Sequence, residues 1–207
     1  MKILIAGCGG LGKEILSDLI HSGIYSDIFF FDDKNKFNHS PPLLYDQFPI
    51  LQSLIEIKPR AGEDVPFVCA VGHGRYRKKL REKIQMVGSL TKVVSHRSII
   101  SPFSSVGDGS LIQPYCGISN DVVIGECVLI NVASQIAHDV TIGDYSTIGP
   151  NSVVLGHCKI GSFSTIHASS TILPGITIGD YAVVDAGSIV DRDVLPFETF
   201  SSRHRQH

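Results

Sequence analysis

From Ile100 to Val190 the chain carries an Ile or a Val at every sixth position without interruption. A helix buries residues with a period of about 3.6 and a strand with a period of about 2. An unbroken period of six therefore indicates a short strand-and-corner unit stacked on copies of itself. Three such units closing a triangular coil predict a solenoid of about five coils. The sixteen anchors are Ile100, Val106, Ile112, Ile118, Ile124, Ile130, Ile136, Ile142, Ile148, Val154, Ile160, Ile166, Ile172, Ile178, Val184 and Val190.

Residues 1–95 follow a different pattern. Lys2 to Ala6 is predicted as a strand, Lys13 to Ser22 as an amphipathic helix and Ile28 to Phe31 as a second strand, which together form a βαβ unit. A third strand is expected at 67–71, and the proline-rich segment 35–66 is predicted as loop. We therefore expect an α/β half-Rossmann domain at 1–95, an all-β parallel helix at 96–195 and a polar C-terminal tail at 196–207.

The turn from Gly7 to Gly12 matches the pattern G-x-G-x-x-G, and Asp32 stands twenty residues after Gly12. A dinucleotide fold needs two βαβαβ halves, whereas the residues before the repeat suffice for one. One half suits a mononucleotide, because helix amides can face phosphates and carboxylates at the second strand can accept hydrogen bonds from ribose or base. A purely structural cap and an NAD site remain open alternatives at this stage.

The basic run begins at Arg75 and extends to Lys83, and its charges occupy nearly consecutive positions. This pattern is typical of a solvated helix face, on which Arg75 or Arg77 could still reach a phosphate. The net charge of −2 gives no overall attraction to nucleic acid or to an anionic membrane. No apolar stretch is long enough to insert into a bilayer, and a cytoplasmic location is expected.

The five cysteines form an odd set without CxxC spacing, so neither a disulfide framework nor a zinc site is indicated, and no metal is expected. Cys116 and Cys158 stand four residues after an anchor, where the repeat usually carries a small residue such as Ser134. We interpret these positions as a tight second row of inward side chains.

A glycine turn, Asp32-Asp33, the segment Ala70-Val71-Gly72 and then the hexapeptide run follow one another along nearly the whole chain. This order resembles the sialic acid O-acetyltransferase and UDP-4-amino-sugar N-acetyltransferase family of hexapeptide-repeat acyltransferases. The segment from Asn131 to Tyr145 carries the most specific likeness. The resemblance implies a left-handed β-helix, acetyl-CoA as co-substrate, a UDP-linked 4-amino sugar of bacterial surface glycan biosynthesis as acceptor, and a homotrimer with sites between subunits.

Within this family likeness, His138 corresponds to the general base and Asn131 to a residue that contacts the sugar. The backbone N–H of Gly156 corresponds to the oxyanion donor, and Ala168 and Ala186 to positions that line the CoA cleft. Thr147 stands where relatives commonly have a second His that contacts the acetyl donor.

The chemistry of acetyl transfer supports His138 independently, because the attacking amine or hydroxyl must lose a proton and an imidazole can accept it. Asp139 beside it could orient the ring, as a triad carboxylate does. Direct transfer is expected, since no Ser or Cys is paired with His138 by motif. His157 and His167 are interpreted as surface residues of the coils.

The substrate nucleotide is expected on the first domain, and His73 is a further candidate for a substrate contact. The expected binding positions are Gly9, Gly10, Asp32, Asp33 and Gly72. Two other functions stay open: O-acetylation of a sialic-type sugar, and a non-catalytic trimeric scaffold or sugar-binding protein.

Overall fold

The computed structural model describes residues 1–35 and 42–202, and the chain divides into two compact units, Met1–Thr91 and Lys92–His207. The elements of the first unit, in chain order, are β1 (Lys2–Ala6), α1 (Gly10–Ser22), β2 (Asp27–Phe31), β3 (Leu43–Leu44), β4 (Phe48–Leu51), a 3-10 turn (Leu54–Glu56), α2 (Ile57–Ala61), β5 (Val65–Cys69), α3 (Gly74–Ile84) and β6 (Gly88–Leu90).

The first unit is built on one sheet with the strand order β3-β4-β2-β1-β5-β6, in which only β3 runs antiparallel to its neighbour. Its central strand β1 is continuously apolar from Ile3 to Ala6 and fully buried, as expected for a parallel strand that is covered on both faces. Helix α1 ends where Gly23 adopts a left-handed backbone with φ of 65°.

The prediction of loop across 35–66 is wrong where the structure describes that segment, because β3, β4 and α2 all lie within it. Pro59 lies in the first turn of α2, where a backbone N–H has no partner inside the helix, so the proline removes no hydrogen bond. Pro49 lies in β4, paired with Leu43 of the short edge strand β3. Pro41 is outside the described residues.

The second unit is a parallel β-helix made of two-residue strands arranged in three sheets, which we call sheets A, B and C. Up to β23, each strand pairs in parallel with the strand eighteen residues earlier or later, as Ile136 does with Val154, whereas β24 pairs with β22 at a spacing of sixteen. Sheet A contains β7 (Val93–Val94), β10 (Leu111–Ile112), β13 (Leu129–Ile130), β16 (Thr147–Ile148), β19 (Thr165–Ile166), β22 (Val183–Val184) and β24 (Thr199–Phe200). Sheet B contains β8 (Ile99–Ile100), β11 (Gly117–Ile118), β14 (Gln135–Ile136), β17 (Val153–Val154), β20 (Thr171–Ile172) and β23 (Ile189–Val190). Sheet C contains β9 (Ser105–Val106), β12 (Val123–Ile124), β15 (Thr141–Ile142), β18 (Lys159–Ile160) and β21 (Thr177–Ile178).

The periodic aliphatic residues form the core of the β-helix, as their spacing predicts. Every anchor from Ile112 to Val190 is at most 3% exposed. Ile100 and Val106 are only half-buried, because they belong to the first coil and have a neighbouring coil on one side alone.

The small inward residues connect successive coils by hydrogen bonds. The Ser110 hydroxyl donates to the Gly125 carbonyl at 2.8 Å and accepts the Val128 N–H at 2.9 Å. Ser146 repeats the arrangement with Gly161 and Ser164. A buried hydroxyl is therefore satisfied at each such position instead of destabilising the core.

The expected polar tail at 196–207 begins later than the sequence pattern suggests. Strand β24 pairs with β22, and the Phe200 side chain is 3% exposed at the end of the core. Arg192 lies over the Phe200 ring and forms an ion pair with Glu198 at 2.7 Å. The last coil is thus closed by an aromatic residue. Residues 203–207 lie outside the described part of the chain.

Within the described residues, no helix is long and apolar enough to cross a bilayer.

Candidate active site

His138 and Asp139 lie at the corner between sheets B and C, and one residue separates them from the end of strand β14. The period of eighteen residues places Gly156 and His157 at the same corner of the next coil, where the His157 N–H donates to the His138 carbonyl at 3.1 Å. Asp139 and His157 both have a left-handed backbone, with φ of 58° and 62°. The turn of each coil therefore projects its polar side chain at the same corner.

The His138 ring is held by its neighbour in sequence. Nδ1 lies 2.8 Å from Asp139 Oδ2, and because a carboxylate can only accept, Nδ1 carries the hydrogen. Nε2 of a neutral ring then bears the lone pair. The side chain of His138 is 56% exposed, so this nitrogen can reach a reactant in solution. The arrangement is that of a general base with an orienting carboxylate.

Gly156 forms the wall against which the His138 ring packs. A Cβ at this position would lie 2.8 Å from His138 Cε1 and 3.0 Å from Nε2, so the glycine leaves space for the ring in its present orientation. Gly156 is buried, and its N–H has no hydrogen-bond partner among the described residues. An unpaired N–H beside the base is the kind of donor that an oxyanion requires.

His157 is the residue at this corner that the sequence interpretation missed. Its ring packs edge-on against His138 with centroids 5.1 Å apart, and its Nδ1 lies 3.8 Å from Asp139 Oδ2. The carboxylate of Asp139 thus lies between two imidazoles. The repeat spacing would have been enough to place His157 beside Asp139, since the two residues are one full coil apart.

The remaining candidates of the β-helix lie elsewhere around the coil. Asn131 follows β13 of sheet A, and its amide Nδ2 donates to the Ile148 carbonyl at 2.8 Å. Thr147 lies in β16 of the same sheet. Ala168 and Ala186 stack one coil apart at the corner between sheets A and B, where the Gly187 N–H donates to the Ala168 carbonyl. Within one β-helix, sheet B therefore separates these alanines from the corner of His138.

The first unit contains a pocket of about 380 Å³ at the carboxyl ends of β1, β2 and β5. This is the position at which parallel sheets bind ligands. The predicted positions Gly9, Gly10, Asp32, Asp33 and Gly72 all line it, together with Gly7, Leu11, Phe31, Lys34, Asn35, Ala70, Val71 and Leu80.

The glycines of the turn divide into two groups. Gly7 has φ of 107° and lies against the Ala70 carbonyl, while a Cβ on Gly12 would collide with the Gly7 carbonyl. These two glycines are required by the backbone itself. Gly9 and Gly10 face open space, and α1 begins at Gly10, so the amides at the start of this helix are available to an anion.

Asp32 is buried and already satisfied by the protein. Its Oδ2 accepts the Cys8 thiol at 2.9 Å and Asn35 Nδ2 at 2.7 Å, and its Oδ1 accepts the backbone N–H groups of Lys34 and Asn35. Burial opposes ionisation, but these hydrogen bonds outweigh it and lower the pKa of the Asp32 carboxyl. Asp32 therefore connects the glycine turn to the end of β2, whatever contact it makes with a ligand.

Asp33 forms an ion pair with Lys83, whose ammonium group also lies over the Phe31 ring. The interpretation of the basic run as a solvated helix face is wrong for Arg77, which is fully buried. Its Nη1 donates to the carbonyls of Val71 and Gly72 at 3.1 and 2.6 Å. Arg77 thereby fixes the rim of the pocket. His73 begins α3 by accepting the Arg75 N–H at its Nδ1 and is not among the residues that line the pocket.

Comparisons with known proteins agree with this architecture. Residues 2–84 match the family described as PglD N-terminal domain, and residues 121–156 and 157–192 match the bacterial transferase hexapeptide family with six repeats. No curated protein matches the chain significantly.

Three solved structures share the fold along nearly the whole chain. The acetyltransferase domain of PglB from Neisseria gonorrhoeae, in complex with acetyl coenzyme A, is 23% identical with a TM-score of 0.87, covering 98% of this chain and 96% of that one. PerB from Caulobacter crescentus, in complex with CoA and GDP-perosamine, is 24% identical with a TM-score of 0.85, covering 99% and 95%. WeeI from Acinetobacter baumannii is 24% identical with a TM-score of 0.68, covering 99% and 98%.

These matches confirm the resemblance and the fold class predicted from the sequence, a Rossmann-like domain followed by a left-handed parallel β-helix.

Proposed function

Because this chain belongs to the hexapeptide-repeat acyltransferases that carry a PglD N-terminal domain, we propose that it transfers the acetyl group of acetyl-CoA to the amino group of a nucleotide-linked sugar. The observation that carries the proposal is the corner of His138, Asp139 and Gly156, which combines a base, its orienting carboxylate and an unpaired N–H. The complexes of PglB with acetyl coenzyme A and of PerB with CoA and GDP-perosamine support both substrate classes.

In the proposed reaction the sugar amine attacks the thioester carbonyl, and a C–N bond forms while the C–S bond breaks. His138 Nε2 takes the proton of the amine, and Asp139 stabilises the resulting imidazolium. The Gly156 N–H donates to the oxygen that becomes negative during the attack. The proton on His138 then passes to the departing CoA thiolate, which regenerates the neutral base.

We assign nucleotide binding to the pocket of the first unit. The helix N-terminus at Gly10 and the neighbouring Gly9 provide amides for the diphosphate, and the rim held by Arg77 brings Gly72 to the same pocket. Asp33, which is held by its ion pair with Lys83, would contact the ribose or the nucleobase. The sequence likeness favours a uridine nucleotide, whereas the ligand of PerB is a guanosine nucleotide. The substrate panel described below therefore has to identify the nucleobase.

We propose that the donor groove forms between β-helices of a homotrimer. The proposal is supported by the separation of Ala168 and Ala186 from the His138 corner, since a neighbouring copy can present its alanine corner to that base. Sheet B also exposes Ile99 and Ile189, which are 80% and 58% accessible in the single chain. Light scattering of the purified chain should give three times the mass of one chain.

The direct test is an acetyl-transfer assay with acetyl-CoA and a panel of UDP- and GDP-linked amino sugars. His138→Ala should lower turnover by about 10² to 10⁴, the contribution of a positioned general base. His21→Ala is the matched control, because His21 is an exposed histidine on helix α1 that lies outside the β-helix and does not line the pocket of the first unit. Product with no member of the panel would refute the proposal. More than about a tenth of wild-type turnover in His138→Ala would assign the base to another residue.

A further inference from the structure

The corner of His138 also carries a feature that acetyl transfer does not require. Two imidazoles and one carboxylate offer ligand atoms that all lie within 4.8 Å of one another, from His138, Asp139 and His157. Two histidines, one carboxylate and an open fourth position form a common donor set of catalytic zinc sites. We propose that this corner is a binding site for a divalent transition metal ion of the Zn²⁺ type, and that occupation of the site switches off the base.

The distances fit such an ion after small side-chain movements. Ligand atoms around tetrahedral zinc, each about 2.0–2.2 Å from the metal, are separated by roughly 3.3 Å. The observed separations from Asp139 Oδ2 bracket this value, at 2.8 Å to His138 Nδ1 and 3.8 Å to His157 Nδ1. All three side chains are about half exposed or more, so they can rotate without displacing the core.

The backbone fixes the three residues at one place. Asp139 and His157 share a left-handed corner conformation in successive coils, and the hydrogen bond from the His157 N–H to the His138 carbonyl keeps the coils in register. Metal binding therefore loses less conformational entropy at this corner than it would if the three ligands lay on a mobile loop. The side chains are exposed, so water can reach the corner as the fourth ligand.

Metal binding at this corner would disable the base by moving its proton. In the metal-free protein Nδ1 of His138 donates to Asp139, and Nε2 is free to accept the proton of the substrate. A metal ion needs the lone pair of Nδ1. The ring then loses the Nδ1 proton and takes one at Nε2, and it can no longer accept a proton there. The expected inhibition lowers kcat and is not relieved by a saturating concentration of nucleotide sugar.

The test separates metal binding from catalysis. Tag-free full-length protein is titrated with Zn²⁺ by calorimetry, and turnover is measured over the same concentrations, relative to the turnover of each variant in chelator. The wild type should bind one Zn²⁺ at this corner per chain. His157→Asn should weaken binding by about tenfold or more and reduce the sensitivity of turnover to zinc in proportion. His167→Asn should behave as the wild type.

The C-terminal histidines His204 and His207 are replaced together by Asn in a further control, which should also bind Zn²⁺ as the wild type does. Binding without acetyl transfer would support the metal site while refuting the proposed function, so the two can fail separately. Absence of zinc binding by the wild type would overturn the inference. Unchanged affinity in His157→Asn, or loss of binding in the control variants, would overturn it equally.

Discussion

The contact between Gly156 and the His138 ring makes a substitution at the glycine a sensitive test of base positioning. In Gly156→Ala the new Cβ would lie 2.8 Å from Cε1 and 3.0 Å from Nε2 of His138. Carbon atoms in contact prefer a separation of about 3.5–4.0 Å, so the ring has to move by roughly 0.5–1 Å. The backbone of Gly156 is not in the left-handed region, and alanine therefore introduces no strain of its own there.

We expect Gly156→Ala to separate activity from stability. Misplacement of a catalytic group by about 1 Å costs about 10²-fold in rate, which corresponds to about 2.7 kcal/mol of transition-state stabilisation. The free energy of unfolding should change by less than about 1 kcal/mol, because the exposed His138 ring can turn outward. The backbone N–H survives the substitution, so loss of the oxyanion donor would not account for a fall in turnover.

The assay is a double-mutant cycle with His138→Ala, measured as kcat at saturating acetyl-CoA and nucleotide sugar. If the alanine acts by displacing the ring, it should have little further effect once the ring is absent. Wild-type turnover in Gly156→Ala would refute the reasoning. A further hundredfold loss in the His138→Ala background would refute it as well, because the effect would then bypass the base.

Other predictions concern stability and reactivity. Because the pKa of the Asp32 carboxyl is lowered in the folded protein, this group contributes stability above its unfolded-state pKa of about 3.9, and the contribution is lost as the pH falls through the folded-state pKa. In Asp32→Asn, the free energy of unfolding measured by denaturant titration should therefore fall less steeply below about pH 4. Burial, followed by the neighbouring Asp32 carboxylate, raises the pKa of the Cys8 thiol to about 12, so iodoacetamide at neutral pH should alkylate Cys8 only after unfolding, as mass spectrometry of the peptide would show. Ile148→Ala should destabilise the β-helix by about 2–5 kcal/mol, whereas Ile100→Ala, at the half-buried end of the stack, should cost less by the same denaturant measurement.

The β-helix could be predicted from sequence almost residue by residue because each anchor meets the same environment. The register of Ile136 with Val154 repeats from coil to coil as far as Val190, so one periodic pattern determines both burial and pairing there. The end of the helix was harder to predict. Phe200 breaks the six-residue spacing and still closes the core, since the last coil has no neighbour to impose the period.

The first unit was less predictable because the contacts of its polar side chains follow no periodic pattern in the sequence. Arg77 belongs to a run of charges that resembles a solvent-facing helix, and only the fold shows that carbonyls of the preceding loop surround it. The motif spacing predicts Asp32 as a ligand contact, which stays a prediction, and only the fold shows that its oxygens also hold the glycine turn. Pro49 and Pro59 suggested a loop, although each occupies a position in a regular element that tolerates proline.

The eighteen-residue coil determines which changes of chain length this β-helix can absorb. An insertion of eighteen residues at a corner adds one coil and leaves every later side chain on its own face. An insertion of six between Asp139 and Gly156 keeps every anchor inward but advances the later residues by one face, so that Gly156 and His157 would leave the corner of His138. Such an insertion would leave the hydrophobic periodicity intact, so the periodicity alone would not reveal that the corner had been lost. The core is therefore preserved by any insertion that is a multiple of six residues, whereas the active corner requires that His138 and Gly156 stay one coil of eighteen residues apart.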